Sequence, residues 1–322
     1  MTPEITVIVP YYNERETIRF TLERVAEQTL PATRALFVNS SSTDDTSAII
    51  DAWLGENQSQ FATRFENLFA NTDTPASSKN AGVRRAVTEW VAFMDCGQNF
   101  SRDWLEQQFE YAQAHNLDIV SGVVYLTGQN WVDRCAIAQT YGYRRKRPCL
   151  PTSLIRKSIF ERTGILTEGR RAGYDAAWLL RLKSLGIIRG INPSVVIEYI
   201  GTNFSSNLFH LFQKSILYAK PSVALPGYFV PYAYAVLSLT FLVVLTLSPR
   251  LALWLFAAYF LARTFAIPLL KSGGTAFYRE NPVTSLLGSG IVGLMMDCGR
   301  LIGTWQGIYQ YHLKRYCNRA GL

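Results

Sequence analysis

The chain reads as an α/β fold, a mostly parallel sheet flanked by helices, followed by an α-helical membrane region. Three observations carry this. Through the first 200 residues, short β-branched apolar runs alternate with amphipathic segments, the order that builds a parallel sheet covered by helices. After Gly227 the composition turns apolar, in stretches long enough to cross a bilayer. One compact apolar run, Trp90–Met94, ends on a carboxylate, Asp95, with Gly97 close behind. Ligands of open α/β sheets bind beyond the carboxyl ends of strands, so an acid and a glycine there mark a place for a metal or a phosphate-bearing ligand.

The elements follow in order. Ile5–Val9 is a buried strand, broken by Pro10-Tyr-Tyr-Asn-Glu14. Glu16 to Gln28 has helical periodicity, with Ile18, Leu22 and Val25 on one face. Ala35–Val38 is a second strand, ending in the oxygen-rich turn Asn39-Ser-Ser-Ser-Thr-Asp-Asp45, and Thr46–Leu54 is helical. Leu68 and Phe69 mark a short third strand. Pro75-Ala-Ser-Ser-Lys-Asn-Ala-Gly82 opens a helix running to about Glu89, and the Trp90 strand follows. Arg102–His115 reads as a helix, Asp118–Leu126 as a strand and Ile155–Thr163 as a short helix. The basic run Tyr143-Arg-Arg-Lys-Arg-Pro148 is either a solvated loop or a contact to phosphate or a lipid headgroup. Gly173–Leu182 is a helix with Asp175 in its first turn, where an acid also complements the helix dipole.

Phe204–Lys220 alternates Leu208, Leu211, Phe212, Ile216 and Leu217 with His210, Gln213, Lys214 and Lys220, an amphipathic helix for a membrane surface or a protein core. Tyr228–Leu247 has no charge and is long enough for about 30 Å of hydrocarbon. Ser248-Pro-Arg250 turns the chain, and Leu251–Leu270 returns with one charge, Arg263, which at that depth faces protein or a cavity, or snorkels. Lys271 and Arg279 mark the following side as cytoplasmic, and the hairpin puts the N-terminal region there too. Val283–Gly303 carries Asp297 and Arg300, and Gly299, Gly303 and Gly307 permit close helix packing. It either spans or is re-entrant or interfacial. The second arrangement is preferred, since it keeps Lys314, Arg315 and Arg319 on the cytoplasmic side. The expected boundaries are 1–200 for a catalytic domain, 201–227 for a juxtamembrane helix and 228–322 for the membrane region, with spans at about 228–247 and 251–270 and the third segment at 283–303.

Composition agrees. Charged residues are 17% against the ~25% usual for a soluble chain, and mean hydropathy is +0.05. A net charge of +8 beside apolar segments fits an anionic membrane surface or phosphorylated ligands. Nucleic acid is a weaker option and is not expected as a partner, since neither stacking nor zinc motifs accompany the charge. The five cysteines have no metal spacing, which fits a reducing compartment, and residues 1–10 run into a strand without a signal peptide.

The motif order resembles a family 2 glycosyltransferase of the GT-A (Rossmann-like) fold with a membrane tail, as in bacterial exopolysaccharide and lipid-linked glycan enzymes. Ile8-Val-Pro-Tyr-Tyr-Asn-Glu14 resembles the opening strand and nucleotide loop. Val38-Asn-Ser-Ser-Ser-Thr-Asp-Asp-Thr46 resembles the second-strand block VDDGSTDGT, Lys79-Asn-Ala-Gly-Val-Arg-Arg-Ala86 the block RNxGxxxA, and Phe93-Met-Asp-Cys-Gly97 the position of the DxD metal motif. The resemblance implies that Pro10, Tyr12 and Glu14 frame the nucleotide, that Asn39 and Ser40 stand where acids touch the base, and that Asp44 is the later acid of that block. Lys79 would lie near the diphosphate, with Asn80 shaping the helix start. Asp95 would be the first DxD acid and Asp175 the acceptor-side general base. Three departures stand out: Asn39 and Ser40 replace acids, Gly97 replaces the second DxD acid so that Asn99 would lend an oxygen instead, and Tyr174 replaces the Glu of a Glu-Asp pair.

The resemblance implies displacement at an anomeric carbon, with inversion and a single base. Mg²⁺ or Mn²⁺ at Asp95 and Asn99 would neutralise the leaving nucleotide diphosphate. The expected partners are a nucleotide-diphosphate sugar, a lipid-linked or glycan acceptor held through Arg144, Arg145 and Arg147, and membrane lipids. The expected location is the inner membrane, multi-pass, with the catalytic domain cytoplasmic. The competing reading is a catalytically inactive membrane adaptor retaining the fold, which would bind nucleotide without turnover. A dinucleotide-dependent oxidoreductase is excluded because no GxGxxG follows the first strand.

Overall fold

A computed structural model describes residues 2–70, 74–169, 173–199, 204–224 and 227–313. The chain divides into two units. The first comprises 1–125 and 146–200, the second 126–145 and 201–322. Residues 126–145 thus belong with the C-terminal part, where sequence patterning had placed them in the catalytic domain.

The first unit is built on strands β1 (Ile5–Tyr11), β2 (Arg34–Asn39), β3 (Arg64–Phe69), β4 (Trp90–Phe93), β5 (Gln98–Asn99), β6 (Ile119–Tyr125), β7 (Arg147–Pro148), β8 (Leu154–Arg156) and β9 (Gly190–Tyr199), in the order β3-β2-β1-β4-β8-β6-β9-β5 with β7 on β6. β3-β2-β1-β4 is parallel, as the alternation of strands and helices requires. Beyond β4 the sheet is mixed. β8 runs antiparallel to β4 and β6, β5 antiparallel to β9, and only β6–β9 returns to parallel pairing. The sheet is therefore less parallel than expected, and Ile155, read as the start of a helix, lies in β8.

Period-two alternation in the strands sorts their side chains into two cores. Ile5, Val7, Val9 and Tyr11 of β1 pack with Phe37, Trp90 and Ala92 under α1 (Ile18–Ala26), α2 (Thr46–Asn57) and α4 (Trp104–Ala114). Ile8, Leu36, Val38, Val91 and Phe93 face the other way, toward α3 (Pro75–Arg85), α6 (Ser158–Thr163) and α7 (Tyr174–Ser184). Gly82 is required where α3 crosses β1, because a Cβ there would collide with the Ile8 side chain. α3 starts cleanly: Pro75 occupies its first turn and the Thr74 hydroxyl accepts from Ser77 N at 3.3 Å.

The second unit is helical: α5 (Trp131–Thr140), α8 (Leu208–Ser222), α9 (Val230–Leu247), α10 (Pro249–Leu261), α11 (Ile267–Ser272), α12 (Ala276–Glu280) and α13 (Pro282–Ile308). A π-helical turn over Ala262–Ala266 joins α10 to α11, making one apolar rod from Pro249 to Ser272. Three helices are long and apolar enough to cross a membrane: Val230–Leu247, Pro249–Ser272 and Pro282–His312. The third is one continuous helix over Pro282–Ile308, long enough to span. Lys314, Arg315 and Arg319, on which the charge argument rested, lie outside the described residues, as does Cys317. Gly299, Gly303 and Gly307 line α13 where it meets α8. A Cβ at any of them would run into the backbone of Phe212, Ile216 or Lys220. The amphipathic helix α8 therefore buries Leu211, Ser215 and Ala219, while Phe209, Leu217 and Tyr218 stay exposed.

Candidate active site

Parallel pairing of β1 with β2 and β4 brings their carboxyl ends to one edge, and the residues just past those ends form the site. In register, Tyr11 lies beside Asn39. The Tyr11 hydroxyl donates to Asn67 Oδ1 at 2.7 Å, tying β1 to β3. Asn39 Oδ1 accepts from Ser42 N at 2.7 Å, and Ser40 Oγ lies 2.6 Å from Ser78 Oγ. Asn39 and Ser40 are thus buried members of the turn that docks on α3. Asp44 closes the same turn, accepting from Thr46 Oγ1 at 2.5 Å and Thr46 N at 3.1 Å. Its slight desolvation pushes the other way, but these bonds hold its carboxyl below the ordinary value. Pro10 is buried in β1 and Tyr12 is exposed at the rim.

Asp95 follows β4 in a turn that Gly97 makes possible, at φ +70°. That turn demands a left-handed residue where the family pattern has its second acid. Lys79, from α3, is 1% exposed, and its Nζ lies 2.6 Å from Asp95 Oδ1. Burial alone would favour losing the Lys79 proton, but the Asp95 carboxylate outweighs it and raises the pKa above the ordinary lysine value. The Tyr174 ring covers the same ammonium, with its centroid at 5.9 Å. Burial raises the Tyr174 pKa; Lys79 pulls it down, while Asp95 and Asp175 push it up. Lys79 is therefore paired with Asp95 at the end of β4. Asp95 stays partly exposed, at 28% of its side chain.

Glu14 accepts from Thr17 Oγ1 at 2.6 Å. Burial raises its pKa, and the charges of Asp95 and Asp44 push the same way against the Thr17 bond. Cys96 and Cys149 border Asp95 as thiols. Burial pushes Cys96 well above its ordinary value and Cys149 up to about 12. Asn80 points elsewhere. Its Nδ2 donates to Leu166 O and Glu168 Oε1, both at 2.8 Å, and its Oδ1 accepts from Leu166 N at 3.0 Å, so it pins the loop beyond α6. Asp175 sits exposed in the first turn of α7, after Gly173 at φ +76°. Asn99 is exposed in β5, opposite Glu198 of β9.

Among the described residues, no three His, Cys, Asp or Glu side chains cluster as an all-protein metal cage would. The donor set does fit a hard cation of the kind held by one carboxylate plus substrate phosphates, since Asp95 is a partly exposed carboxylate at the strand end. The three arginines assigned to the acceptor fall in different units. Arg144 pairs with Glu280 at 3.2 Å, and Arg145 donates to Lys271 O at 3.0 Å, both inside the second unit. Arg147 belongs to β7 of the first. Sequence reasoning missed the Lys79–Asp95 pair and the Tyr174 cover; the signal was an apolar-facing lysine in α3, one turn past a proline start.

Residues 6–171 match the family model described as "Glycosyl transferase family 2". The chain is 24% identical over 247 residues to the glycosyltransferase GlyG of Streptococcus pneumoniae, covering 67% of this chain and 80% of that one. It is 26% identical over 198 residues to the glycosyltransferase AglE of Haloferax volcanii, covering 57% and 62%, so it spans under two thirds of that relative. In fold it is similar to the mannosyltransferase PcManGT of Pyrobaculum calidifontis, solved with GDP-Man and Mn²⁺, at TM-score 0.55 and 18% identity over 94% of this chain and 88% of that one. The GT-A architecture, the motif blocks at its strand ends and the match across half the chain lead to one conclusion: this protein is a glycosyltransferase and belongs to glycosyl transferase family 2.

Proposed function

We propose that the protein is a membrane-bound inverting glycosyltransferase that moves a sugar from a nucleotide-diphosphate donor to a hydroxyl of a lipid-linked or glycan acceptor in cell-surface polysaccharide synthesis. The observation that carries this reading is Asp95, a partly exposed acid just past the carboxyl end of β4 that pairs through Oδ1 with a buried lysine. Pro10, Tyr12, Glu14, Asn39, Ser40 and Asp44 frame the nucleoside from the ends of β1 and β2. Asp95, with Asn99 and the donor's own phosphates, would hold Mg²⁺ or Mn²⁺, which neutralises charge on the departing diphosphate. Asp175, exposed at the start of α7, takes the proton from the acceptor hydroxyl. The freed oxygen bonds to the anomeric carbon as the bond to the diphosphate breaks on the opposite face, which inverts the centre. The three apolar helices support a membrane location, and we assign it to the inner membrane with the first unit cytoplasmic.

The test uses the purified full chain with a panel of donors, GDP-mannose first, with Mn²⁺ or Mg²⁺. Nucleotide diphosphate release and the anomeric configuration of the product are measured. One donor should give an inverted product, and Asp175→Asn should slow turnover by about 10²–10⁴-fold without weakening donor binding. A retained configuration, or an Asp175→Asn variant as fast as the parent, would remove the single-base mechanism.

A further inference from the structure

All three candidate spans send polar groups to one carboxylate. Asp297 of α13 accepts at Oδ1 from the Tyr234 hydroxyl at 2.7 Å and from Arg300 Nη1 at 3.1 Å. At Oδ2 it accepts from the Tyr259 hydroxyl at 2.9 Å and from Arg263. Arg263, 5% exposed, also donates from Nη1 to Gln139 Oε1 of α5 at 3.0 Å. Gln139 Nε2 in turn reaches Ser289 O at 2.9 Å. Two guanidinium groups therefore meet a single carboxylate, and a carboxylate offers about four lone-pair sites, all taken here.

The uncompensated positive charge falls to Arg300. Only its Nη1 has partners among the described residues, Asp297 and the Tyr234 hydroxyl at 3.3 Å. Its side chain is 27% exposed. An open guanidinium on an apolar helix is costly unless an anion meets it. Depth narrows the anion. Tyr234 lies about one turn, ~6 Å, inside the Val230 end of α9, whereas Tyr259 lies ten residues, ~15 Å, from the Pro249 turn. The network therefore reaches from the middle of the apolar layer toward the Val230 face. Arg300 lies on that side of Asp297, because the helix continues past α13 to His312, beside Tyr232.

We propose that Arg300, steadied by Asp297 and Tyr234, binds the phosphate headgroup of a membrane lipid. The site rests on the reading that these helices cross a membrane, but not on the transfer reaction. Guanidinium suits a phosphate because its remaining nitrogens present a planar fork to two oxygens. Arg263 is the fixed counter-charge that keeps Asp297 from neutralising Arg300 fully.

The experiment places the full chain in phosphatidylcholine nanodiscs with a small fraction of phosphatidic acid and measures bound lipid by native mass spectrometry. The wild type should retain phosphatidic acid over phosphatidylcholine. Arg300→Gln should weaken that retention at least tenfold, Arg300→Lys should keep part of it, and Arg250→Gln, at the far turn of the hairpin, should not change it. Inorganic phosphate in hundredfold excess should not displace the lipid. Equal retention by Arg300→Gln in inserted protein, equal loss in Arg250→Gln, or displacement by inorganic phosphate would each overturn the site. Failure of the wild type to insert would overturn the membrane reading and the site with it.

Discussion

Two buried ion pairs organise the two units, and they are built the opposite way round. In the first unit the cation is sealed and the acid is open: Lys79 is 1% exposed and Asp95 28%. In the second the acid is sealed and one cation is open: Asp297 is 12% exposed, Arg263 6% and Arg300 27%. The group left partly exposed tells what each pair can hold. An open carboxylate backed by ammonium suits a cation or a polar ligand. An open guanidinium backed by carboxylate suits an anion. Burial fixes the other partner so that removing it leaves a charge with no water to take over, whereas the exposed partner can be rehydrated.

The largest effect should come from Asp297→Ala. It leaves Arg263 and Arg300 unpaired and should cost about 3–5 kcal/mol, read as a fall in melting temperature in detergent. Arg263→Met with Asp297→Leu should recover more than half, since an apolar pair of similar volume replaces a buried ion pair at little loss. An Asp297→Ala variant as stable as the parent would break the comparison. Next, Asp95→Ala should destabilise the first unit by about 3 kcal/mol, because it strands a fully buried ammonium. Lys79→Met should cost only about 1 kcal/mol, because water reaches Asp95. Denaturant midpoints decide the order, and the reverse order would show that Asp95 is the better buried of the two. Gly303→Leu should cost about 1–3 kcal/mol by forcing α8 off α13, where a Cβ already meets the Ile216 backbone.

The smallest effect concerns pH. The Asn80 amide, with Arg84, holds the Glu168 carboxyl below its ordinary value of 4.5. A depressed folded pKa means stability that is present above 4.5 and is lost as pH falls through the folded value. Glu168→Gln should flatten the acid limb of a melting curve against pH below 4.5 and leave it unchanged near neutrality. A limb as steep as the parent's would place that stability on other acids.

β1, β2 and β4 were legible because their β-branched runs alternate and end in polar turns. β8 was not. Its three residues carry no period, and its partner Ala92 pairs with Leu154 from a distant part of the chain. β9 was hidden by Asn192, Pro193 and Ser194, which read as a turn yet lie within a ten-residue strand. α5 was missed although Asn130 caps it, accepting from Asp133 N at 2.9 Å. Asp95, Lys79 and Asp175 were singled out as candidates from motif order. Pattern could not show that Lys79 and Asp95 neutralise one another, or that Asn80 is saturated by Leu166 and Glu168.

By itself the sequence determined the α/β class of the first unit, the acid at the end of β4, the glycine stripe of α13 and the apolar length of three helices. These follow from local period, turn chemistry and hydrophobic run length, which each short segment carries within itself. Only the tertiary structure decided which charges are shared. The pairing of Lys79 with Asp95, the four donors on Asp297 and the open nitrogens of Arg300 depend on residues brought together by packing, and the free energy of a charge is set by what surrounds it rather than by its neighbours in the chain.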